Sequence, residues 1–376
     1  MKSLIKILIP RQLLLLLILT TGLLNHVILI PNLMTASGRD SWVGVIAAFP
    51  IAVIFLYFIY YVVKNSPPEG FFPLVKRRLG KVVHSLLFLP VLLFLFTSSF
   101  VTLKDLIIWL NAYFLADFSL LVITVVLTIS CLLVTFSGVK YMAIASGLIL
   151  PLVMLFGFMI AAVNTSVKEP SLLFPIMSEG WGPVLKGVFY TLSGILEIYI
   201  VILLQPFAQE KIKFRQLFIL LIILTGLILG PLTASIMEFG PVESMNYRYP
   251  AYEQWRILSI GSYINHLDFF VLYQWLSGAL IRVGLFMYLL GVLFTKKLTH
   301  YRLKPLVVLS IYLPLFAAVT FIKLEPYYFT NYIYTYFLPA CLILFSSYIL
   351  LSALILYVLK KRDEQHDENI EFDSGS

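Results

Sequence analysis

One acidic residue lies near the middle of an apolar stretch that is long enough to cross a bilayer. Glu197 stands within the stretch 189–207, whose other residues are mostly apolar or aromatic. A charged side chain at the centre of a membrane helix costs roughly 2.5–3.5 kcal/mol, so such residues are rare unless they face a bundle interior or a watery cavity. This position predicts that Glu197 tunes a ligand pocket or carries a proton. The alternative is a protonated Glu197 that hydrogen-bonds a neighbouring helix for packing alone.

The residues before Glu197 give this helix a polar face. Tyr190, Gly194 and Glu197 follow one another at i, i+4 and i+7 and therefore share one side of the helix. Ser193 and Gly194 precede the acid at a point where a helix can loosen and leave backbone groups free for a ligand. We therefore take Tyr190, Ser193, Gly194 and Glu197 as candidate ligand-binding residues.

The first apolar stretch of the chain also carries polar residues at mid-membrane depth. Thr20, Thr21 and Gly22 are followed by Asn25 and His26. This pattern predicts an interrupted helix, with Thr21, Gly22 and Asn25 as further candidate ligand-binding residues. An equally good alternative is a close helix crossing at Gly22 with Asn25 hydrogen-bonded across it. His26 is a candidate proton carrier, although a lone histidine is more often a structural hydrogen-bonding residue.

Arg282 is the only cation placed deep in a predicted membrane span. An unpaired charge at that depth is expensive, so Arg282 needs a partner. Glu197 is the obvious candidate for an ion pair. The alternative is that the long Arg282 side chain extends toward Lys296 and the cytosol, where water solvates its charge. We favour this second arrangement, and the sequence alone leaves the contact undecided.

The composition places these residues in an all-α polytopic membrane protein. Of 376 residues, 60% are hydrophobic and 12% are charged, and the mean hydropathy is +0.96. The formal charge of +8 comes from basic residues in short loops, so it indicates topology and we expect no nucleic-acid partner. Cys131 and Cys341 fall in apolar runs without a Cys/His cluster, so we expect no metal or cofactor. We expect no enzymatic activity, because the chain has no nucleophile motif and no glycine-rich phosphate loop.

Ten apolar runs are candidate membrane spans by their length. Most of the 27 Lys and Arg residues fall in alternate loops, which favours ten spans with both termini cytoplasmic. We interpret residues 1–359 as a single membrane domain and the polar, acidic tail 360–376 as disordered and cytoplasmic. The predicted spans are 11–34, 42–63, 82–104, 118–137, 141–163, 184–205, 216–238, 267–294, 305–323 and 331–359.

The longest external connection, 239–266, contains a short amphipathic segment. Tyr252 and Trp255 lie roughly on one side, and Glu253 and Arg256 form an i,i+3 pair on another. Aromatic residues in such a short helix suit the membrane interface. We expect this segment to lie across the outer mouth of a central cavity as a lid.

Several short motifs, in their order along the ten spans, resemble the spore germination permease family. The most specific is Tyr-Pro-Ala-Tyr-Glu-Gln-Trp-Arg-Ile-Leu-Ser-Ile-Gly at 249–261, followed by Asp268 and Trp275. The chain is similar to this family over residues 8–358. Its members are B-type subunits of endospore germinant receptors and belong to the amino acid–polyamine–organocation transporter superfamily. The other matching pieces are Ile-Pro-Arg-Gln-Leu at 9–13, Ala-Ser-Gly-Arg-Asp-Ser-Trp at 36–42, Gly-Ile-Leu-Glu at 194–197 and Leu-Gln-Pro-Phe at 204–207.

The resemblance implies a fold and a place for the ligand. The fold is a five-plus-five inverted repeat of the LeuT-like type, with repeats at about 11–163 and 184–359. The ligand pocket lies between spans 1, 3, 6 and 8. Helix ends near Gly22 and Gly194 would then hold the carboxylate and ammonium groups of an amino acid.

The resemblance also implies a function. It implies a receptor subunit in the spore inner membrane that binds a small nutrient germinant, such as an amino acid, and signals to A-type and C-type partner subunits. A second hypothesis is a proton- or sodium-coupled amino acid transporter, because the fold permits both activities. A third is a scaffold subunit that has lost its ligand site, and the polar residues Glu197 and Asn25 argue against it.

Overall fold

The chain is built from helices. The computed structural model describes residues 6–259, 267–295 and 302–374. All regular secondary structure within these ranges is helical, and Leu8 and Ala208 form an isolated backbone bridge. In lipid, a helix satisfies every backbone hydrogen bond within its own segment, which suits so apolar a chain. The all-α class predicted from composition is confirmed.

The N-terminal half of the chain contains long helices joined by short turns. A π-helical turn, Leu24–Leu29, joins the first two helices, and a 3₁₀ turn, Gly38–Asp40, joins the second and third. The helices are α1 (Pro10–Leu23), α2 (Ile30–Ser37), α3 (Ser41–Asn65), α4 (Phe71–Tyr113), α5 (Leu120–Ser137) and α6 (Val139–Val163).

The C-terminal half has more breaks. A 3₁₀ turn, Leu196–Tyr199, separates its first two helices, and a π-helical turn, Ile333–Phe337, separates its last two. The helices are α7 (Trp181–Ile195), α8 (Ile200–Leu204), α9 (Phe214–Phe239), α10 (Pro241–Asn246), α11 (Pro250–Arg256), α12 (Phe269–Phe294), α13 (Pro305–Phe321), α14 (Pro326–Tyr332) and α15 (Leu338–Ser374).

Eight helical stretches of the described chain are long and apolar enough to cross a membrane. The sequence predicted ten spans, and the two counts differ at two places. Pro10–Asn65 contains two of the predicted spans, while Pro305–Phe321 is an apolar helix of only 17 residues. The eight stretches are Pro10–Asn65, Phe71–Tyr113, Leu120–Ser137, Val139–Val167, Trp181–Phe207, Phe214–Phe239, Phe269–Phe294 and Pro326–Gln365.

The first of these stretches is broken near its middle. Its 56 residues would form a straight helix of about 84 Å, against a hydrocarbon core of about 30 Å. Gly38 has φ 53° and ψ −133°, a conformation that costs other residues strain because they carry a Cβ. The helical path therefore changes direction between α2 and α3.

Two segments form the centre of the bundle. Every residue from 190 to 204, in α7 and α8, is buried, and so is every residue from 281 to 291 in α12. By contrast Leu133, Leu148 and Leu313, on α5, α6 and α13, are 63%, 75% and 71% exposed. These outer leucines form the surface that lipid covers, so α7, α8 and α12 lie where a polar site is shielded from lipid.

Residues 247–259, called the lid below, belong to the predicted external connection and are hydrogen-bonded to neighbouring segments. Gln254 Nε2 donates to the Pro231 carbonyl oxygen of α9 at 2.7 Å, and the Gln254 carbonyl oxygen accepts from Asn164 Nδ2 at 2.9 Å. Arg256 Nη1 donates to Glu253 Oε2 at 2.9 Å, as their spacing predicted. Residues 260–266 of the predicted external connection lie outside the described residues.

The aromatic side chains of α11 face the bundle. Residues 250–255 are all buried, and the Tyr252 ring packs edge-on against Trp109 of α4 at 5.6 Å between centroids. Trp255 packs edge-on against Phe156 of α6 at 6.3 Å. The expectation that Tyr252 and Trp255 lie at the membrane interface is wrong, because neighbouring helices supply the apolar surface that these rings cover.

The last helix continues into the polar tail. Disorder was expected for residues 360–376, and α15 extends to Ser374. Lys360 Nζ lies 3.7 Å from Glu364 Oε1 one turn away, and Arg78 of α4 donates to both oxygens of Asp363 at 2.9 and 2.7 Å. Exposed pairs of this kind contribute only about 0.2–1 kcal/mol each, but together they favour a helical start to the tail.

Helices α3 and α7 cross in close backbone contact. A Cβ placed on Gly44 would lie 2.7 Å from the Cα atom of Gly187. Ser37 Oγ donates to the Pro183 carbonyl oxygen at 2.5 Å beside this crossing. Glycine at both positions lets the two backbones approach, as is common between membrane helices.

We predict that Gly44→Ala destabilises the fold by about 1–3 kcal/mol, because the added methyl group meets backbone that must move. Gly157→Ala on α6 is the matched control, because its Cβ would meet nothing within 4 Å. The melting temperatures of the two variants are compared in detergent. Each is measured from the fraction of protein that remains monodisperse after heating. Equal melting of both variants would contradict the close crossing.

Candidate ligand-binding site

The backbone changes helix type at Glu197. Residues Leu196–Tyr199 form the 3₁₀ turn between α7 and α8. The sequence predicted that the helix loosens at Ser193 and Gly194, and the change occurs slightly later and tightens the backbone. Short 3₁₀ stretches inside helices often mark hinges or strain. This one carries the acidic residue.

Glu197 and Arg282 form a completely buried ion pair. Arg282 Nη1 donates to Glu197 Oε1 at 2.5 Å and Nη2 donates to Oε2 at 2.7 Å, with both side chains 0% exposed. This is the two-point geometry in which a guanidinium best matches a carboxylate. The predicted ion pair is therefore present. The favoured alternative, an Arg282 side chain that extends toward the cytosol, is wrong.

The Arg282 guanidinium also contacts α1 and α4. It donates from Nη1 to the Thr20 carbonyl oxygen at 2.9 Å, from Nε to Thr102 Oγ1 at 3.1 Å and from Nη2 to Ser98 Oγ at 2.7 Å. The Phe286 ring centroid lies 4.5 Å from its Cζ atom. All five N–H groups of the guanidinium therefore have a partner. Helices α1, α4 and α12 and the Leu196–Tyr199 turn meet at this one group.

This arrangement explains how two charges persist without water. Burial costs several kcal/mol per ion, and the attraction between the ions offsets that cost only when the geometry is excellent and the remaining donors are satisfied. Arg282 and Glu197 meet both conditions. Each oxygen of Glu197 already accepts a hydrogen bond from Arg282, so this carboxylate is better suited to holding the bundle together than to binding a ligand.

The polar part of the first span lies in the π-helical turn Leu24–Leu29 between α1 and α2. A π-helical turn holds an extra residue, and such turns occur frequently at functional sites. The predicted interruption is thus a widened turn with a continuous helical path. Asn25 makes no hydrogen bond within the described part of the chain, so the alternative in which it bonds across a helix crossing is wrong.

Asn25 is buried against Gly194 with both amide atoms unpaired. A Cβ at Gly194 would overlap Asn25 Oδ1, so a larger residue there would displace the Asn25 side chain. The hydroxyl groups of Thr21 and Thr191, about one turn before Asn25 and Gly194, are also buried and have no partner among the described residues. Buried polar atoms nearly always find partners. The contact between the π-helical turn and α7 therefore retains hydrogen-bonding capacity for a small polar molecule.

Two predicted residues of the first span face α9 instead. His26 Nδ1 lies 3.4 Å from the Leu227 carbonyl oxygen, and a Cβ at Gly22 would lie 3.1 Å from Leu227 Cδ1. His26 is therefore placed as a structural hydrogen-bonding residue. Gly22 serves the packing of α1 on α9.

Two predicted ligand-binding residues of α7 already have hydrogen-bond partners in the protein. Tyr190 stacks on Tyr334, with ring centroids 4.8 Å apart, and its hydroxyl group donates to the Tyr334 carbonyl oxygen at 3.0 Å. Ser193 Oγ donates to the Tyr190 carbonyl oxygen at 2.6 Å, within its own helix. Of the predicted set, the structure thus brings together Asn25 with Gly194, and Glu197 with Arg282.

Two small cavities lie beside the π-helical turn, and each has room for about one water molecule. Val27, Ile28 and Asp105 line both of them. The inner cavity, next to the Arg282 group, is also lined by Leu23, Thr102, Leu106, Trp275 and Ala279. The outer cavity, under the lid, is also lined by Pro31, Asn32, Arg248, Tyr249, Thr330 and Ile333.

Asp105 is a site residue that the sequence analysis missed. Arg248 Nη2 and Tyr249 Oη each donate to its Oδ1 atom at 3.0 Å, and Arg248 Nε donates to Tyr249 Oη at 2.8 Å. The predicted third span ended at residue 104, which placed Asp105 outside the membrane. Helix α4 continues to Tyr113 and keeps Asp105 inside the bundle. An acid one residue beyond an apolar run was the available signal.

The two donors to Asp105 keep their protons near neutral pH. Burial alone would lower the pKa of Arg248, but the negative charge of Asp105 and the nearby Tyr249 outweigh it and raise that pKa. Burial and the Asp105 charge raise the pKa of Tyr249 well above its usual range. The lid is therefore held to α4 by charge-assisted hydrogen bonds that do not titrate near pH 7.

We predict that Asn25→Leu leaves the melting temperature unchanged or raises it, because it replaces an unpaired buried amide with an apolar group of similar size. Asn164→Leu is the contrasting variant. It removes the 2.9 Å hydrogen bond to the Gln254 carbonyl oxygen and should cost about 1–3 kcal/mol. Comparable destabilisation of the two variants, measured in the same detergent, would contradict an unpaired Asn25.

Comparison with known proteins identifies the family of this chain. Residues 8–326 match the family described as "Spore germination protein". The chain is 40% identical over 279 residues to Spore germination protein XB of Bacillus anthracis, and the match covers 74% of this chain and 78% of the relative. The family that the motifs resemble is thus confirmed, and the apolar helices make the chain an integral membrane protein. The chain belongs to the spore germination protein family.

Proposed function

We propose that this chain is the B subunit of a germinant receptor. In this role it binds a small nutrient germinant, an amino acid, in a transporter-like pocket. Binding then signals to A-type and C-type partner subunits and triggers germination. Family membership supports the general role, and the two cavities beside the π-helical turn support ligand binding.

The observation that carries the proposal is the inner cavity, between Leu24–Leu29, α4 and α12. It has apolar walls and a few polar groups, as small-molecule sites usually have. Its floor is the satisfied Arg282 group, which reaches the cavity through Thr102. Glu197, in predicted span 6, is paired with Arg282 and so holds this floor in place. The unpaired Asn25 amide belongs to the same π-helical turn that lines the cavity.

The cavities are smaller than an amino acid, so the site must widen to admit one. The lid packs over the outer cavity through Arg248 and Tyr249. A ligand that binds better to the wider form shifts the population toward it, and this population shift is the physical basis of a signal. Partner subunits that contact the lid or the moving helices would sense the change.

We further propose the topology that the sequence indicates. The break at Gly38 divides Pro10–Asn65 into two passes, and Pro305–Phe321 is a further pass, which gives ten. Repeats at about 11–163 and 184–359 then each begin with a helix that changes type, at Leu24–Leu29 and at Leu196–Tyr199. Both termini lie in the cytoplasm, and the membrane is the spore inner membrane.

The second candidate is a proton- or sodium-coupled amino acid transporter. The unpaired polar atoms of Asn25, Thr21 and Thr191 support the transporter hypothesis, because polar groups near a helix break also suit a coupling ion. Net uptake distinguishes a transporter from a receptor that binds without moving its ligand.

The test fills the inner cavity in steps. The variants are Ala279→Val and Ala279→Leu, since Ala279 lines the cavity and is 3% exposed. Ala162→Leu, at an exposed position of α6, is the matched control. Binding and uptake of labelled amino acids are measured in proteoliposomes at matched protein amounts, after each variant has been checked for thermal stability.

We expect saturable binding that weakens from Ala279→Val to Ala279→Leu, since each added methyl group occupies the space of the ligand. The control should bind like the parent chain. Binding without uptake supports the receptor subunit, whereas uptake driven by a proton or sodium gradient supports the transporter. Binding that is indifferent to both Ala279 variants would contradict this location, and no binding of any amino acid would contradict the proposed function.

A further inference from the structure

Asp105 stands where the two cavities meet. It lines both of them, together with Val27 and Ile28 of the π-helical turn. Its side chain is almost fully buried in α4, one turn from Thr102 and two turns from Ser98, which hold Arg282. A ligand that occupies either cavity must therefore approach this carboxylate.

Asp105 has unused capacity to accept hydrogen bonds. Both bonds that reach it, from Arg248 and Tyr249, end on Oδ1, and none from the described residues ends on Oδ2. A carboxylate accommodates about four hydrogen bonds. Glu197 differs, because each of its oxygens accepts from Arg282 and it lines neither cavity. Asp105 is thus the acidic group that a ligand in these cavities meets.

Arg248 joins Asp105 to helix α14. Besides its bond to Asp105, its Nη1 atom donates to the Pro326 carbonyl oxygen at 2.7 Å and to Thr330 Oγ1. These two acceptors belong to α14, while Arg248 itself lies between α10 and α11. One guanidinium therefore connects the lid to α4 and to α14 over the outer cavity.

We propose that Asp105 binds the ammonium group of the ligand and that this group takes the place of Arg248. The exchange keeps one positive charge beside a buried carboxylate, so Asp105 is not left unpaired. An ammonium group is compact and has three donors, so it needs less space beside Asp105 than the guanidinium that it replaces. The ligand class is accordingly a primary amine, which includes amino acids.

The exchange also supplies the signal. Once Arg248 leaves Asp105, the lid keeps only the Tyr249 hydrogen bond to that carboxylate, beside the packing of Tyr252 on Trp109 of α4. Loss of the Arg248 bond weakens the attachment of the lid to α4, so ligand binding and lid movement are linked. This inference rests on the proposed function, because it requires a small ligand in these cavities.

The test measures ligand affinity in nanodiscs for the parent chain and three variants. Asp105→Asn removes the anchor, and Arg248→Gln removes the group that competes with the ligand. Asp117→Asn, an exposed acid just beyond α4, is the matched control. The probes are the standard amino acids and, for each one that binds, the amine without its carboxylate and the acid without its ammonium group.

Asp105→Asn and Arg248→Gln are predicted to change the ligand affinity in opposite directions. Asp105→Asn should weaken amino acid binding roughly 10-fold or more, because it removes a charge-assisted bond to the ligand. Arg248→Gln should tighten binding, since the ligand no longer displaces an internal cation. The free amine should bind and the free acid should not. Should Arg248→Gln fail to fold, Tyr249→Phe removes the other donor to Oδ1 while its ring is kept, and it should also tighten binding.

Four outcomes would overturn the inference. If Asp105→Asn and Arg248→Gln change the ligand affinity in the same direction, Asp105 and Arg248 only hold the lid in place and Asp105 does not bind the ligand. If Asp105→Asn binds like the Asp117→Asn control, the ammonium group lies elsewhere. If the acid without its ammonium group binds as tightly as the amino acid itself, Asp105 is not the anchor, although the proposed function stands. If the parent chain binds none of the probes, both the inference and the proposed function fall.

Discussion

The buried Arg282–Glu197 pair is the constraint on which the rest of the structure depends. A guanidinium in a lipid-shielded core requires all its donors to be satisfied, and Arg282 finds them on three other segments: Glu197, Ser98 with Thr102, and the Thr20 backbone. Helices α1, α4 and α12 and the turn between α7 and α8 must therefore approach one point. That point is the floor of the inner cavity, so one interaction fixes both the fold and the candidate site.

Much of the fold was predictable because lipid imposes simple rules. Apolar length located the helices, and the cost of buried charge singled out Glu197 and Arg282. Their pairing was not predictable, because a long side chain at position 282 can either extend to water or turn inward, and only packing decides. The aromatic residues of α11 were misjudged for the same reason. Their amphipathic pattern requires an apolar surface but does not say whether lipid or protein supplies it.

The candidate site, like the fold, was only partly predictable from the sequence. The sequence placed helix irregularities correctly in spans 1 and 6, since polar residues at mid-membrane depth need unusual surroundings. It did not find Asp105, because a residue just past an apolar run is normally solvated, whereas α4 continues to Tyr113 and buries it. The contact of Asn25 with Gly194, over residues far apart in the chain, likewise follows from tertiary packing. Charged residues at the ends of apolar runs merit the same scrutiny as those at their centres.

The central claim is that Glu197 and Arg282 act as one structural unit. The most direct measurement is a double-mutant cycle of unfolding free energy in mixed micelles, with Glu197→Gln, Arg282→Gln and the double variant. Each single variant leaves a charge buried without its partner and should lose about 3–5 kcal/mol, while the double variant should lose clearly less than the sum. Losses that add to within about 0.5 kcal/mol would mean that the two residues do not interact, and would contradict the account.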